Sequence, residues 1–245
     1  MRKTIRSCLL PLLATWLALP ITPAWATVVM GPTPYLSFSD SPASGISFSY
    51  FQLENFESGV LGATGVTASG GSVLGPGQFT DSVDADDGVI NGFGTNGHSW
   101  YSAGNRSLSF TFDASILGAL PTYAGIVWTD VGFRDDGIFG PAPVIFEAFD
   151  SLGNSLGEIG PFAVGDDGSV NGNTAEDRFF GVTEATGISR ITISMSSSGD
   201  WEVDHLQFGL ETRLLAASVP EPSTLFLGVH GLVGLWSARR RPLRK

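Results

Sequence analysis

The sequence predicts an all-β fold, a single antiparallel β-sandwich of jelly-roll-like form set between a cleaved leader and a short apolar C-terminal helix. Three observations carry that expectation. Through the middle of the chain apolar and polar residues alternate at period two, the spacing of a strand with one face buried. Between those runs lie clusters of Gly, Asn, Asp, Ser and Pro, which supply the unusual or preset dihedrals that turns require. No amphipathic helical stretch of useful length interrupts them, and a parallel sheet would need crossover helices. A sustained repeat period is missing too, which argues against a β-helix or a propeller.

In chain order, residues 1–26 read as a secretory signal peptide. Arg2, Lys3 and Arg6 form its charged start, Leu9 to Leu19 its apolar stretch, and Ala24-Trp25-Ala26 an A-x-A cleavage site, so the mature chain is expected to begin at Thr27. Cys8, the one cysteine, precedes the apolar stretch and is discarded with the leader. The exported body then has no disulfide, no thiol nucleophile and no thiolate metal ligand, and its stability must come from packing.

Residues 27–218, about 190 of them, are enough for one hydrophobic core. The clearest strand is Ser107 to Phe112, where Leu108, Phe110 and Phe112 face one way and Ser107, Ser109 and Thr111 the other. The same alternation marks Tyr35 to Ser39, Ile46 to Leu53, Ala124 to Trp128, Val144 to Phe149, Arg178 to Val182, Arg190 to Met195 and Glu202 to Phe208. Shorter runs are Val66 to Ser69, Ser72 to Leu74, Gln78 to Val83 and Ser99 to Tyr101. Asp150-Ser151-Leu152-Gly153-Asn154 is read as a hairpin turn joining Val144–Phe149 to Ser155–Ile159, and Ala114 to Leu120 as one helical turn. Leu53-Glu54-Asn55-Phe56-Glu57 near the front and Trp201 to Gly209 at the back are placed as first and last strands. The stretch Glu202 to Phe208 is similar to the closing strand of carbohydrate-binding and discoidin-like jelly rolls.

Residues 219–245 have a different character. Pro220 and Pro222 hold Val219-Pro220-Glu221-Pro222-Ser223 extended and accessible. Leu225 to Trp236 is almost wholly apolar, and Arg239-Arg240-Arg241 with Arg244-Lys245 closes the chain with charges that the cytoplasmic side of a membrane retains. About 12 apolar residues reach only about 18 Å of a ~30 Å hydrocarbon core, short for a permanent span. Motif, apolar helix and basic end in this order resemble the PEP-CTERM sorting signal of Gram-negative bacteria. The resemblance implies an exosortase, a membrane transpeptidase, cutting at Val219, Pro220, Glu221 and Pro222, with transient anchoring in the inner membrane. It also implies Sec-dependent export to the cell surface or extracellular matrix. The body resembles the cargo domains of other such proteins.

Removing both ends exposes a lopsided charge. Of the 13 Lys and Arg, three lie in the leader and five in the tail, leaving five arginines against 23 of the 24 acids, a formal −18 for the body. Such a surface repels nucleic acid and anionic membrane and is compatible with divalent cations or neutral polysaccharide.

Three Asp-Asp-Gly triplets, Asp86-Asp87-Gly88, Asp135-Asp136-Gly137 and Asp166-Asp167-Gly168, suit turns. The alternative reading of the first is calcium, with Asp81, Asp84, Asp86 and Asp87 supplying carboxylates from one loop, although the spacing is not that of an EF-hand. Gly92-Phe93-Gly94-Thr95-Asn96-Gly97 matches G-x-G-x-x-G, but the strand-like His98-Ser99-Trp100-Tyr101 follows where a nucleotide fold needs a helix. There is no nucleophile elbow, and His98 and His205, the body's two histidines, read as strand residues. Trp100, Trp128 and Trp201 are candidates for stacking on sugar rings, with core packing as the other role for aromatics on strands.

The expectation is therefore a non-enzymatic surface or matrix protein delivered alongside exopolysaccharide. A carbohydrate-binding module, with or without calcium, is the alternative. A secreted hydrolase stands third, without a motif.

Overall fold

The computed structural model describes residues 26–77, 79–85, 96–132, 134–138, 140–164 and 177–212. The leader up to Trp25, the tail from Arg213, Asp86, Asp87 and the triplet at 166–168 lie outside the described residues. Twelve strands follow in chain order: β1 (Val28–Pro34), β2 (Phe48–Glu54), β3 (Val66–Ala68), β4 (Ser72–Leu74), β5 (Ser99–Tyr101), β6 (Ser107–Phe112), β7 (Tyr123–Val131), β8 (Val144–Phe149), β9 (Ser155–Phe162), β10 (Arg178–Thr183), β11 (Arg190–Ser194) and β12 (Trp201–Glu211). A single short helix, α1 (Ala114–Leu117), follows β6, with Asp113 accepting from Ser115 N at 2.8 Å and Gly118 ending it at φ 85°. Among the described residues no helix is long and apolar enough to cross a membrane.

The strands form two sheets, and every recorded pairing is antiparallel. The first sheet runs β1-β10-β7-β12-β5-β4, with β2 also on β12. The second runs β3-β6-β11-β8-β9. β12 organises the first sheet: one edge pairs with β7, while the other takes β5 at Glu202 and Val203 and then β2 from Leu206 to Glu211. Between the sheets lies the main core. Phe146 of the second sheet stacks on Phe180 of the first at 6.3 Å between centroids, and Phe112 meets Phe208 at 5.0 Å. Removing such apolar area from water is the dominant stabilising term, about 25 cal/mol per Å².

The two sheets differ on their outer faces. In β8 and β11 buried and half-buried residues alternate strictly, as the sequence suggests. β7 and β12 are buried almost throughout, because residues 35–46 and Val83 cover the outer face of the first sheet. Tyr35, Ala43, Val83, Tyr123, Val127 and Phe179 form a second apolar cluster there.

Three expectations need correction. Tyr35 to Ser39 is not a strand, because the Asp40 carboxylate captures Leu36 N and Ser37 N at 2.9 and 3.1 Å. Two 3-10 turns, Phe38–Asp40 and Pro42–Gly45, follow, the second capped by Ser41 Oγ on Ala43 N at 3.0 Å. Leu53 to Glu57 is not the first strand: β1 and most of β2 precede it, and Phe56, at φ 56° with its N–H on Glu54 Oε1, turns the chain out of the sheet. Gln78 to Val83 is not a strand either. Its described part is a turn leading to the 3-10 segment Val83–Ala85, since its backbone donors are taken by side chains of β12. The hairpin at 150–154 forms as expected, with Asp150 Oδ1 accepting from Leu152 N and Asn154 N, each at 2.8 Å.

The outermost strands are interrupted or brief. β1 shifts register between Met30 and Thr33, at Gly31-Pro32, and β9 does so opposite Val144 and Phe146, at Gly160-Pro161. A Cβ at Gly31 would meet Phe179 O at 2.2 Å, and one at Gly160 would meet Val144 O at 2.5 Å, so these bends require glycine. β3 and β4, the other two ends of the strand orders, have three residues each, whereas β2, whose recorded pairing is to β12, has seven.

Candidate functional site

Polar chemistry concentrates on the covered face of the first sheet, where residues 79–85 dock onto β12. In a regular strand Glu202 and Asp204 share one face and His205 would point to the other. β12 instead shifts register against β7 between Asp204 and Gln207, and His205 adopts φ 46°. This bulge keeps Trp201, Val203, Leu206 and Phe208 in the main core while Asp204 and His205 both turn outward. A non-glycine residue at positive φ costs on the order of 1–3 kcal/mol and persists where its surroundings hold it.

Those surroundings are a hydrogen-bonded shell. Tyr35 Oη lies 2.9 Å from His205 Nδ1 and accepts from Gln207 Nε2 at 2.9 Å. Ser41 Oγ donates to Gln207 Oε1 and lies 3.1 Å from Tyr123 Oη. Asp204, fully buried, accepts Ser82 Oγ at 3.0 Å, Val83 N at 3.1 Å and its neighbour's His205 N at 2.6 Å. Glu202 accepts Asp81 N at 3.0 Å and the Ser99 hydroxyl, while Thr129 Oγ1 donates to Asp81 O at 2.9 Å. The acidic loop is thus fastened through its backbone to two buried carboxylates.

At the rim, Asp84 Oδ1 approaches His205 Nε2 at 3.4 Å, and Asn55 Nδ2 donates to Asp84 Oδ2 at 2.7 Å. Glu57 accepts His98 N and pairs with His98 Nδ1 at 3.1 Å. Burial pushes Glu202 and Asp204 up to about 7, with the nearby carboxylates adding to the rise. Burial opposes a proton on His205, but Asp84, Asp204 and Glu57 outweigh it and raise that pKa. The contact with His205, together with Asn55, holds Asp84 below the ordinary carboxylate range despite partial burial.

Of the four aspartates expected to hold calcium, Asp81 and Asp84 fall among the described residues. Among the described residues the one group of three or more potential metal ligands is Asp84, Asp204 and His205, and it does not include Asp81. Asp86 and Asp87 lie outside the described residues. Asp204 and His205 were legible only as a break in the alternation, two adjacent polar residues in a strand that elsewhere alternates apolar with polar.

The stacking role expected of the tryptophans is corrected to core packing. Trp128 and Trp201 are 0% exposed and Trp100 7%, so none offers a face to a sugar arriving from solvent. Trp128 and Trp201 pack on each other at 5.5 Å, and Trp100 lies 5.5 Å from Phe56 with its Nε1 donating to Gly70 O at 3.2 Å. Phe79 and Tyr101 do reach a surface cleft. With Leu74, Asp130, Asp200 and Glu202 they line about 430 Å³ beside the docked loop.

Val219, Pro220, Glu221 and Pro222 lie outside the described residues, and comparison with known proteins addresses them instead. Searches among curated proteins and among solved structures give no match. The family model described as the PEP-CTERM protein-sorting motif matches residues 218–241. The chain therefore carries a PEP-CTERM sorting motif near its C-terminus, which implies an exosortase as its processing partner.

Proposed function

We propose that this chain is a non-enzymatic protein of the cell surface or extracellular matrix, with the two-sheet domain as cargo and the tail as its address. The observation that carries the reading is the PEP-CTERM match over residues 218–241. It is supported by the order of parts around that match: an A-x-A leader before the body, two prolines that keep the cleavage stretch extended, and a basic end that holds the apolar segment in the inner membrane until exosortase acts. The sheets, jelly-roll-like in this reading, serve as a stable exported body of formal charge −18 that keeps apart from nucleic acid and anionic lipid and tolerates neutral exopolysaccharide.

The test is mass spectrometry of the exported protein. The mature product is expected to begin at Thr27 and to end between Pro220 and Pro222. Recovery of a chain that still carries Arg239 to Lys245 overturns the sorting reading.

Carbohydrate binding is favoured by one observation, the cleft in which Phe79 and Tyr101 stand beside Asp130 and Asp200. Aromatic faces with flanking acceptors suit sugar rings. Retardation of the protein in gels containing neutral polysaccharide, lost on Phe79→Ala, supports that reading, and unchanged migration of the wild type removes it.

A further inference from the structure

We propose that Asp84, Asp204 and His205 form a binding site for a divalent cation of the zinc class, one that clamps the 79–85 segment onto the bulge of β12. The proposal is independent of the sorting reading, which rests on the tail.

Geometry comes first. One ligand atom from each residue can be chosen so that all three lie within 4.8 Å of one another. The Nε2 of His205 and Oδ1 of Asp84 are 3.4 Å apart. That distance is long for a hydrogen bond, but zinc with bonds of about 2.0–2.1 Å has tetrahedral ligands about 3.3 Å apart. Asp204 and His205 are fixed by the bulge, at 0% and 4% exposure, whereas the Asp84 side chain sits at the rim with 37% of its surface exposed. The separations to Asp204 are within 4.8 Å, a gap that small side-chain movements on ion binding would close, and the solvent side of Asp84 leaves the fourth position to water.

A second, independent observation is the orphaned nitrogen. His205 Nε2 is buried and has no hydrogen-bond partner, its recorded neighbour being the Asp84 carboxylate oxygen in an ion pair at 3.4 Å. A buried polar atom left unsatisfied needs an explanation, and a cation supplies one. The other ring nitrogen is anchored on Tyr35 Oη, which Gln207 in turn orients, so the ring is held for coordination through Nε2. The aspartates are supported likewise, Asp84 by the Asn55 amide and Asp204 by Ser82 Oγ and Val83 N.

Donor chemistry then selects the metal. Calcium and magnesium take oxygen ligands, so an imidazole in the set works against both. One imidazole and two carboxylates with an open position suit zinc or a neighbouring divalent transition metal. The acids expected from sequence to hold calcium thus contribute one member, Asp84, to a site whose other two members come from β12.

The experiment uses the full exported chain, stripped with chelator and titrated calorimetrically with zinc, calcium and magnesium chlorides. The expected result is one saturable zinc site that raises the thermal midpoint, with no comparable shift from calcium or magnesium. Asp84→Asn and His205→Gln should each weaken zinc binding at least tenfold, and cobalt should give the visible absorption of a four-coordinate site in the wild type only. Asp84→Asn retains shape at an exposed rim, so it decides the matter if His205→Gln does not fold. Asp136→Asn, which removes an exposed acid elsewhere, should bind as the wild type does. The proposal falls if zinc fails to saturate the folded wild type, if Asp84→Asn binds zinc unchanged, if Asp136→Asn loses as much, or if calcium shifts the midpoint as far as zinc.

Discussion

The two sheets share one core but meet the outside differently. Across the outer face of the second sheet, Ser109, Thr192, Glu147 and Glu158 lie in register on β6, β11, β8 and β9, half-buried or exposed, and Arg190 rests over the Phe149 ring at 4.0 Å. The corresponding face of the first sheet is roofed by residues 35–46 and 79–85, so its polar residues must find partners inside the protein. A polar residue facing water is nearly interchangeable. The same residue under a roof is bound to particular donors, and its loss exposes them to an unsatisfied interior.

The largest effects should come from the core, where the sheets do not differ. Trp201→Ala on the first sheet and Phe146→Ala on the second should each cost about 3–5 kcal/mol in urea denaturation. If only one of them does, the contrast reaches into the core and is not confined to the outer faces. Next comes Asp204→Ala, which leaves Ser82 Oγ and Val83 N without their acceptor. A loss on the order of 3 kcal/mol is expected from stranded buried donors, together with faster hydrogen exchange at residues 79–85; unchanged exchange there would show that the loop is held by something else.

A smaller effect is set by pH. Burial holds Glu202 at about 7 against an ordinary 4.5, so between those values the folded protein keeps a proton that the unfolded chain has released. Its contribution to stability is full below about 4.5 and is lost as pH rises through 7. Glu202→Gln keeps an acceptor oxygen and cannot ionise, so in chelator its thermal midpoint should fall less over that window than the wild type's. Equal slopes would place the titration elsewhere. Smallest of all is Glu147→Gln on the open face of the second sheet, where Glu158 lies directly opposite. Relief of like-charge contact should leave stability within about 0.5 kcal/mol of wild type. A loss comparable to that of Asp204→Ala would erase the distinction between the faces.

The same contrast explains what the sequence disclosed. Leu108, Phe110 and Phe112 announce β6 because Ser107, Ser109 and Thr111 stand between them, and the open face of the second sheet preserves that alternation. The strands of the first sheet were found as well, but not their double burial, because a roof far away in sequence, 48 positions even between Asp81 and Thr129, leaves no mark on local periodicity. Tyr35 reads as a strand residue until it is placed against His205, 170 positions later. Asp81 and Asp84 stood out by crowding, yet the crowding is only half the arrangement, since the carboxylates that fasten their loop come from β12. The tryptophans could not be assigned by type alone, and burial settles their role. The tail needed no fold to be read, because its signal is linear.

The four terminal strands have a consequence for how such a protein behaves when many copies are concentrated outside the cell. An exposed, regular strand edge offers a row of backbone donors and acceptors on which another chain can add, the first step towards amyloid. Here β1 and β9 are bent at Gly31-Pro32 and Gly160-Pro161, where proline has no N–H to offer, and β3 and β4 have three residues each. None of these four presents a long straight template, and the longer edge is that of β2, seven residues whose recorded pairing is to β12. At those four ends the sheets are poorly shaped for growth into a fibre, so backbone addition by another chain would have to begin at the β2 edge.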